Sequence, residues 1–289
     1  MPIDLVTGGG GYLGGNLAKA LLSLGRQVRI FDVQKTSNCP AEAEFVQGDM
    51  RNREEVRKAL EGVGRVFHIA FVQSLSKRPE AERYAINIGG MENFLEESLA
   101  AKVARFIHTS TIEIYGTRPP LPAPETAPTD EPVGWYGRHK LICEQMLWRF
   151  HKDTGVPCSA LRMPTICGRG FYNHRPLLEL MDRVLDGKSV GVIGDGSTPG
   201  DFVLLEDVLQ GFLLAGDRPE AVGEAFNISC RAPSTQLEIV KAMIDEAESK
   251  SAVVRVPAPL AKAGLWVGRL LKVHDLPPDQ DGYLFHPNS

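Results

Sequence analysis

Tyr136 and Lys140 are the residues whose types and spacing most directly suggest chemistry. They stand four apart at the head of a stretch that reads as a helix, so both side chains project from one face. A phenol, with a free pKa of about 10, is a poor base near neutral pH. An ammonium beside it favours the phenolate. Such a phenol can take a proton from a substrate hydroxyl or return one to a ketone. Thr111 follows an apolar run and offers a hydroxyl to the same substrate oxygen. A tyrosine and a lysine at this spacing arise by chance in many chains, so the elements that position them must decide.

The first such element opens the chain. Ile3 to Val6 reads as a buried strand, and Thr7-Gly8-Gly9-Gly10-Gly11-Tyr12-Leu13-Gly14 follows it. Leu13, Leu17, Leu21 and Leu24 then recur on one helical face, up to Gly25 at a C-cap position. In a strand, glycine turn and helix, backbone approaches a phosphate closely, and the helix start offers free N–H groups with partial positive charge. A pyrophosphate is the natural guest. Gln27 to Asp32 reads as a second strand ending in an acid, 18 residues after Gly14. A carboxylate there accepts hydrogen bonds from the adenosine ribose and repels a 2′-phosphate, which selects NAD over NADP.

Glu44–Gln47 reads as a third strand leading into Gly48-Asp49-Met50, with a helix over 53–61. Arg65–Ala70 is a fourth strand, in which His68 reads as structural rather than catalytic. A long helix over 79–101 contains Asn87, and Ala104–Ser110 is a fifth strand. This alternation predicts a doubly wound parallel α/β sheet with ligands at the carboxyl ends of the strands. Pro119, Pro120, Pro122, Pro124, Pro128 and Pro132 mark 117–134 as a loop, either a connection or a wall over the site. Beyond it, a helix over 176–187, a strand at Phe226–Ser229, a helix over 235–248 and an apolar amphipathic helix over 258–271 suggest a smaller lobe. The last is too short to span a bilayer and is expected to pack in that lobe, with a membrane-touching role as the alternative.

The composition is 43% hydrophobic and 24% charged, and the net charge is −4 with no basic block, which argues against a nucleic-acid partner. Cys39, Cys143, Cys158, Cys167 and Cys230 are scattered without a C-x-x-C pair, as expected for reduced thiols in a cytoplasmic protein. The first residues pass straight into a strand, so no signal peptide is expected. The expected partner is a small-molecule substrate, and no metal is expected.

Thr7-Gly8-x-x-Gly11-x-x-Gly14 is not the G-x-G-x-x-G of a standard Rossmann dehydrogenase. It resembles the TGxxGxxG fingerprint of the short-chain dehydrogenase/reductase superfamily. Together with Asp32, Ser110-Thr111 and Tyr136-x-x-x-Lys140, it makes most of residues 3–230 resemble the extended branch, the NAD-dependent epimerase/dehydratases. Asn87-Ile88-Gly89-Gly90, Leu161-Arg162-Met163-Pro164, Gly194-Asp195-Gly196 and Asp201–Val208 are similar to further segments of that family. The resemblance implies a Rossmann-type NAD-binding domain over 1–164. It implies a mainly substrate-binding lobe over 165–289, with segments around 201–216 returning to the first body. It implies catalytic Thr111, Tyr136 and Lys140. It also implies cofactor contacts from Gly8, Gly11, Tyr12, Leu13, Asp32, Asp49, Met50, Ala70, Lys140 and Pro164. Asp49 would meet the adenine amino group, Lys140 the nicotinamide ribose, and Asn87 would support the nicotinamide side. A homodimer built from the helix at 79–101 and the helix beginning at Tyr136 is implied as well.

Three departures bear on substrate. Thr165 stands where many sugar-nucleotide members carry an asparagine, and Gly200 where many carry an arginine that grips a diphosphate. Backbone replaces a guanidinium poorly there, and Arg169 or Arg175 are the candidate substitutes. Ser110-Thr111-Ile112-Glu113-Ile114-Tyr115-Gly116 is similar to the S-T-x-E-x-Y-G of certain dehydratases, but their Asp–Glu acid–base pair is reduced to Glu113, with Ile112 at the acid position. Glu113 is then a base or a polar lining residue. The apolar C-terminal segment resembles that of hydroxysteroid-dehydrogenase-like members. The chain ends at Pro287-Asn288-Ser289 without the closing segment of many relatives, as a short or trimmed tail would. The leading expectation is an NAD-dependent oxidoreductase acting on a secondary alcohol or ketone. The alternative is a nucleotide-sugar epimerase or dehydratase with tightly bound NAD, and a non-catalytic NAD sensor ranks last because Tyr136 and Lys140 are both kept.

Overall fold

Central strands of a doubly wound sheet are covered on both faces, so they read as nearly unbroken apolar runs. Leu5-Val6, Ile30-Phe31, Phe106-Ile107 and Ala160-Leu161 are such cores, and each is 2% exposed or less. The computed structural model describes residues 2–117, 120, 122–129, 132–172 and 175–270. Pro119, residue 271 of the expected last helix and the chain end at Pro287–Ser289 lie outside these described residues.

The first half alternates strand and helix. It runs through β1 (Ile3–Thr7), α1 (Tyr12–Ser23), β2 (Val28–Asp32), β3 (Glu44–Gln47), α2 (Arg53–Ala59) and β4 (Val63–His68). Then come α3 (Glu80–Tyr84), a π-helical turn at Ala85–Gly89, α4 (Gly90–Ala100) and β5 (Arg105–Thr111). A 3₁₀ turn at Ile112–Tyr115 precedes α5 (Trp135–Thr154), β6 (Cys158–Met163) and β7 (Thr165–Cys167). The rest comprises α6 (Arg175–Leu185), β8 (Val190–Ile193), β9 (Pro199–Gly200), β10 (Phe202–Leu204), α7 (Leu205–Asp217), β11 (Glu224–Asn227), β12 (Ser234–Thr235), α8 (Gln236–Glu246), β13 (Val253–Val256) and α9 (Ala258–Leu270).

Seven parallel strands form one sheet in the order β3-β2-β1-β4-β5-β6-β11. Leu17, Leu21, Val208 and Phe212 of α1 and α7 cover one face. Val56, Met91, Phe94 and Leu147 of α2, α4 and α5 cover the other. Strand order reverses between β1 and β4, and ligands of open α/β sheets bind at the carboxyl ends beside that switch. Two arginines at the amino edge fix helices to the sheet. Arg29 Nη1 donates to Ala59 O and Glu61 O at the end of α2, at 2.8 and 2.7 Å. Arg105 Nε and Nη2 donate to Ala215 O in the last turn of α7. Cations complement the negative end of a helix dipole.

The remaining strands pair two by two: β7 with β10, β9 with β12 and β8 with β13. Val184, Val190, Val192 and Val240 join α6, β8 and α8 in a small separate core.

Some sequence expectations are corrected. The strand at Phe226–Ser229 lies at Glu224–Asn227 and belongs to the main sheet, paired with β6, not to the smaller lobe. Only its pairing reveals this, since a short apolar run looks alike in either sheet. The fourth strand starts two residues earlier, at Val63, and ends at His68. The helix over 79–101 contains a π turn centred on Asn87. Leu24 leaves the buried face of α1 as its C-cap and is 56% exposed.

Candidate active site

The glycine turn lies at the carboxyl end of β1. Gly8 has φ +70°, and a Cβ there would stand 2.8 Å from Ala70 N and Cα. Ala70 is held against the turn because Thr7 Oγ1 accepts from Ile69 N and Ala70 N, both at 3.0 Å. Gly14 lets α1 approach the turn, for a Cβ there would lie 2.3 Å from Gly8 O. The helix starts at Gly11, which has no side chain to cap it, and its first turn carries no acid. Its leading amides are therefore left for an outside acceptor, as an anion site at a helix start requires. Asp32 Oδ2 accepts from Gly10 N at 2.9 Å, which aims the carboxylate across the turn. Gly48 N donates to Asp32 O, bringing Asp49 alongside. These residues fit the adenosine and pyrophosphate of a dinucleotide. Gly14→Ala should push Gly8 aside and weaken NAD binding about 5–150-fold by calorimetry, since overpacking costs about 1–3 kcal/mol. Unchanged affinity would mean that the turn takes no part.

Other residues expected at the cofactor fall into two groups. Tyr12 is buried, donates to Arg169 O at 3.3 Å and meets Phe171 and Tyr172 edge-on. Leu13 packs into the α1 face of the core, and Pro164 joins β6 to β7. Asp49 faces Arg51, which holds its carboxyl below the usual range through hydrogen bonds to both oxygens. The Met50 side chain is buried against Gly90 of α4, and its carbonyl accepts from Asn93 Nδ2 at 2.9 Å.

Tyr136 and Lys140 share one face of α5. Lys140 is 1% exposed, and its Nζ donates to Thr109 O of β5 at 2.6 Å. Nζ lies 3.7 Å from the centroid of the Phe71 ring and 5.8 Å from that of Tyr136. The Phe71 and Tyr136 rings are perpendicular at 5.5 Å. Thr111 ends β5 almost fully buried, and its Oγ1 accepts from Glu113 N at 3.3 Å. Burial pulls Lys140 down to about 7. In the protein alone, burial and then the Glu113 carboxylate push the Tyr136 pKa well above 10, against the acidifying effect expected of the ammonium. The protein alone thus keeps this phenol protonated.

A lysine that ionises less readily when folded opposes folding while the solution keeps it charged. The penalty is full below about pH 7 and fades as pH rises from there toward the free value near 10.5. Lys140→Met should therefore raise Tm most below pH 7, with the gain shrinking by pH 10. A gain independent of pH would show that the charge carries no such penalty.

Asn87 turns its polar atoms into the protein. Its Oδ1 accepts from Val72 N at 2.8 Å, and its Nδ2 lies 3.3 Å from His139 Nδ1. It supports the site by fixing the segment after β4 to α5. His68 and His108 face each other across β4 and β5, Nδ1 to Nδ1 at 3.3 Å. Burial holds both well below their ordinary values, His68 at about 3, so both are neutral.

Two features of the site were not legible in the sequence. One is Phe71, marked only by being an aromatic residue after Ala70. The other is a buried ion pair between Arg162 of β6 and Glu144 of α5. Glu144 also accepts from Ser110 Oγ at 2.7 Å, and Arg162 donates to Tyr115 Oη and to Glu125 O of the proline-rich segment. Asn227 donates to Ala123 O and to Glu125 Oε1. The described part of that segment is thereby tied to the sheet.

Fold and site together define a Rossmann-type dinucleotide-binding protein. A model of the NAD dependent epimerase/dehydratase family matches residues 5–229, and the chain belongs to that family, the extended short-chain dehydrogenase/reductases. Its cofactor is NAD. The chain is 28% identical over 277 residues to a 3 beta-hydroxysteroid dehydrogenase/Delta 5-->4-isomerase of Mycobacterium tuberculosis, covering 91% of this chain and 73% of that one. It is 31% identical over 273 residues to short-chain dehydrogenase/reductase family 42E member 1 of Danio rerio, covering 88% and 70%. A UDP-glucose 4-epimerase of Thermotoga maritima, solved with UDP-glucose, superimposes with a TM-score of 0.78 at 28% identity, covering 88% and 85%. The match spans 62% of the length of an uncharacterized Sinorhizobium fredii relative. No helix among the described residues is long and apolar enough to cross a membrane, and none of their His, Cys, Asp and Glu residues cluster as metal ligands.

Proposed function

We propose that this chain is an oxidoreductase that passes hydride between a secondary alcohol carbon and NAD. The supporting observation is the pairing of Tyr136 with a buried Lys140 on one face of α5, at the carboxyl end of the sheet. Tyr136 donates its proton to a ketone oxygen during reduction and withdraws it from the alcohol in the reverse direction. Lys140 reaches toward the nicotinamide ribose, and Thr111 orients the substrate oxygen. Gly8, Gly11, Tyr12 and Leu13 hold the pyrophosphate, Asp32 the ribose, and Asp49, Met50, Ala70 and Pro164 complete the contacts. NAD, when bound, would supply the hydride acceptor, and the positive charge of its ring would favour the phenolate that burial disfavours.

An apolar substrate is favoured over a nucleotide sugar. A side chain at Gly200, where a diphosphate-gripping arginine would stand, starts 3.0 Å from Phe202 Cε2 and 3.1 Å from Ile239 Cδ1. The hydroxysteroid dehydrogenase relative agrees with this preference. Glu113 favours the second reading, epimerisation or dehydration, because its charge reaches both Tyr136 and Lys140. The test supplies NAD with a panel of sterols and simpler secondary alcohols, and in parallel with UDP- and dTDP-sugars. NADH accumulating at 340 nm with an alcohol supports the oxidoreductase. Conversion of a nucleotide sugar without net NADH would replace it with the second reading.

We also propose a homodimer through the α3–α4 helix and α5, which a monomeric mass in sedimentation equilibrium would refute. All five cysteines are free thiols, which suits the reducing cytoplasm.

A further inference from the structure

Phe71 touches both members of the Tyr136–Lys140 pair. Its backbone is fixed on either side: Ala70 N bonds Thr7 Oγ1 at 3.0 Å, and Val72 N bonds Asn87 Oδ1 at 2.8 Å. The ring is thereby set with its face on the Lys140 ammonium. An ammonium carries three N–H donors. Among the described residues, Lys140 Nζ has one hydrogen-bond acceptor, Thr109 O. The negative face of an aromatic ring attracts a cation that lacks further acceptors, most strongly where water is excluded.

We propose that Phe71 is a positioning residue whose ring face keeps the buried Lys140 side chain charged, against Thr109 O and beside the Tyr136 ring. Its value to the reaction rests on the function proposed above, but the contact itself does not. A ring face attracts the ammonium and not the neutral amine, so it favours the protonated form, while burial favours the neutral one. The other groups around Lys140 are Tyr136, Cys143 and Glu144 on α5, Glu113 on the 3₁₀ turn, and the neutral His68 and His108 on β4 and β5. Glu144 and Glu113 favour the charge, and burial pushes the Cys143 thiol up to about 12, so it is neutral near pH 7. The Tyr136 ring is the more distant aromatic.

The full chain, labelled with ¹³C-lysine, is titrated by NMR at the lysine Cε–Hε position, with and without NAD. Lys140→Met identifies the Lys140 signal by its loss. In the wild-type chain the Lys140 Hε protons should be shifted upfield by the ring and titrate near pH 7. Phe71→Leu keeps an apolar side chain of similar bulk and removes the ring. It should abolish the upfield shift and lower the titration midpoint by about 0.4–1.5 pH units. Phe71→Tyr should retain both. An unchanged midpoint in Phe71→Leu would overturn the proposal. So would ordinary Hε shifts in the wild-type chain, a readout that does not depend on any variant folding. Turnover is scored separately: a Tyr136→Phe variant that keeps turnover defeats the catalytic assignment and leaves the Phe71 contact standing.

Discussion

Replacing Tyr136 with phenylalanine should lower turnover by about 10²–10⁴-fold and leave NAD affinity unchanged, because general acid–base catalysis contributes rate factors of that size. The substitution removes one oxygen. The ring that meets Phe71 and Trp135 edge-on is kept, so α5 should hold its place. The glycine turn and Asp32 lie on other elements and should still bind NAD. Turnover is read as NADH formation with the best alcohol of the panel, and affinity by calorimetry with NAD alone. Full turnover would remove Tyr136 from the reaction. Lost NAD binding would mean instead that the variant damages the site. The phenol is held above its ordinary pKa by burial and Glu113, so it remains a proton donor through the neutral range. Ketone reduction should therefore persist there, while alcohol oxidation quickens as pH rises.

Glu144→Gln or Arg162→Met should destabilise the fold by about 3–5 kcal/mol, because each leaves its partner's charge buried and unpaired. Their side chains are 3% and 7% exposed. For a chain of this size such a loss corresponds to a fall in Tm of roughly 6–20 °C. Glu144→Gln also weakens the acceptor of Ser110, the residue before Thr111. Arg162→Met removes the bonds to Tyr115 Oη and Glu125 O, and leaves Asn227 to hold Tyr115 and the described part of the proline-rich segment. The double variant Arg162→Met/Glu144→Leu should recover much of the loss, since replacing a buried pair by apolar groups is often neutral. Single variants that melt with the wild-type chain would show that the pair is not buried as the structure has it. A double variant no better than the singles would place the cost in the lost hydrogen bonds instead.

Much of this protein is determined by local sequence. Periodicity marks β1, β2 and β5 because a strand buried on both faces needs consecutive apolar residues. Glycine at 8 and 14 is legible because close backbone approach admits no Cβ there. Tyr136 and Lys140 share a face because helical geometry puts residues four apart together. Tertiary structure decided what depends on partners distant in the chain. Glu224–Asn227 joins the main sheet only through its ladder with β6. Arg162 and Glu144 look like ordinary surface charges until β6 and α5 bury them together. Phe71 acquires a role only because Thr7 and Asn87 fix the segment around it and α5 brings Lys140 beneath its ring. Even the acidity of Tyr136 runs opposite to the reading from its neighbour in sequence. An ionisation equilibrium depends on exclusion of water and on every charge within reach, and both are set by packing rather than by spacing along the chain.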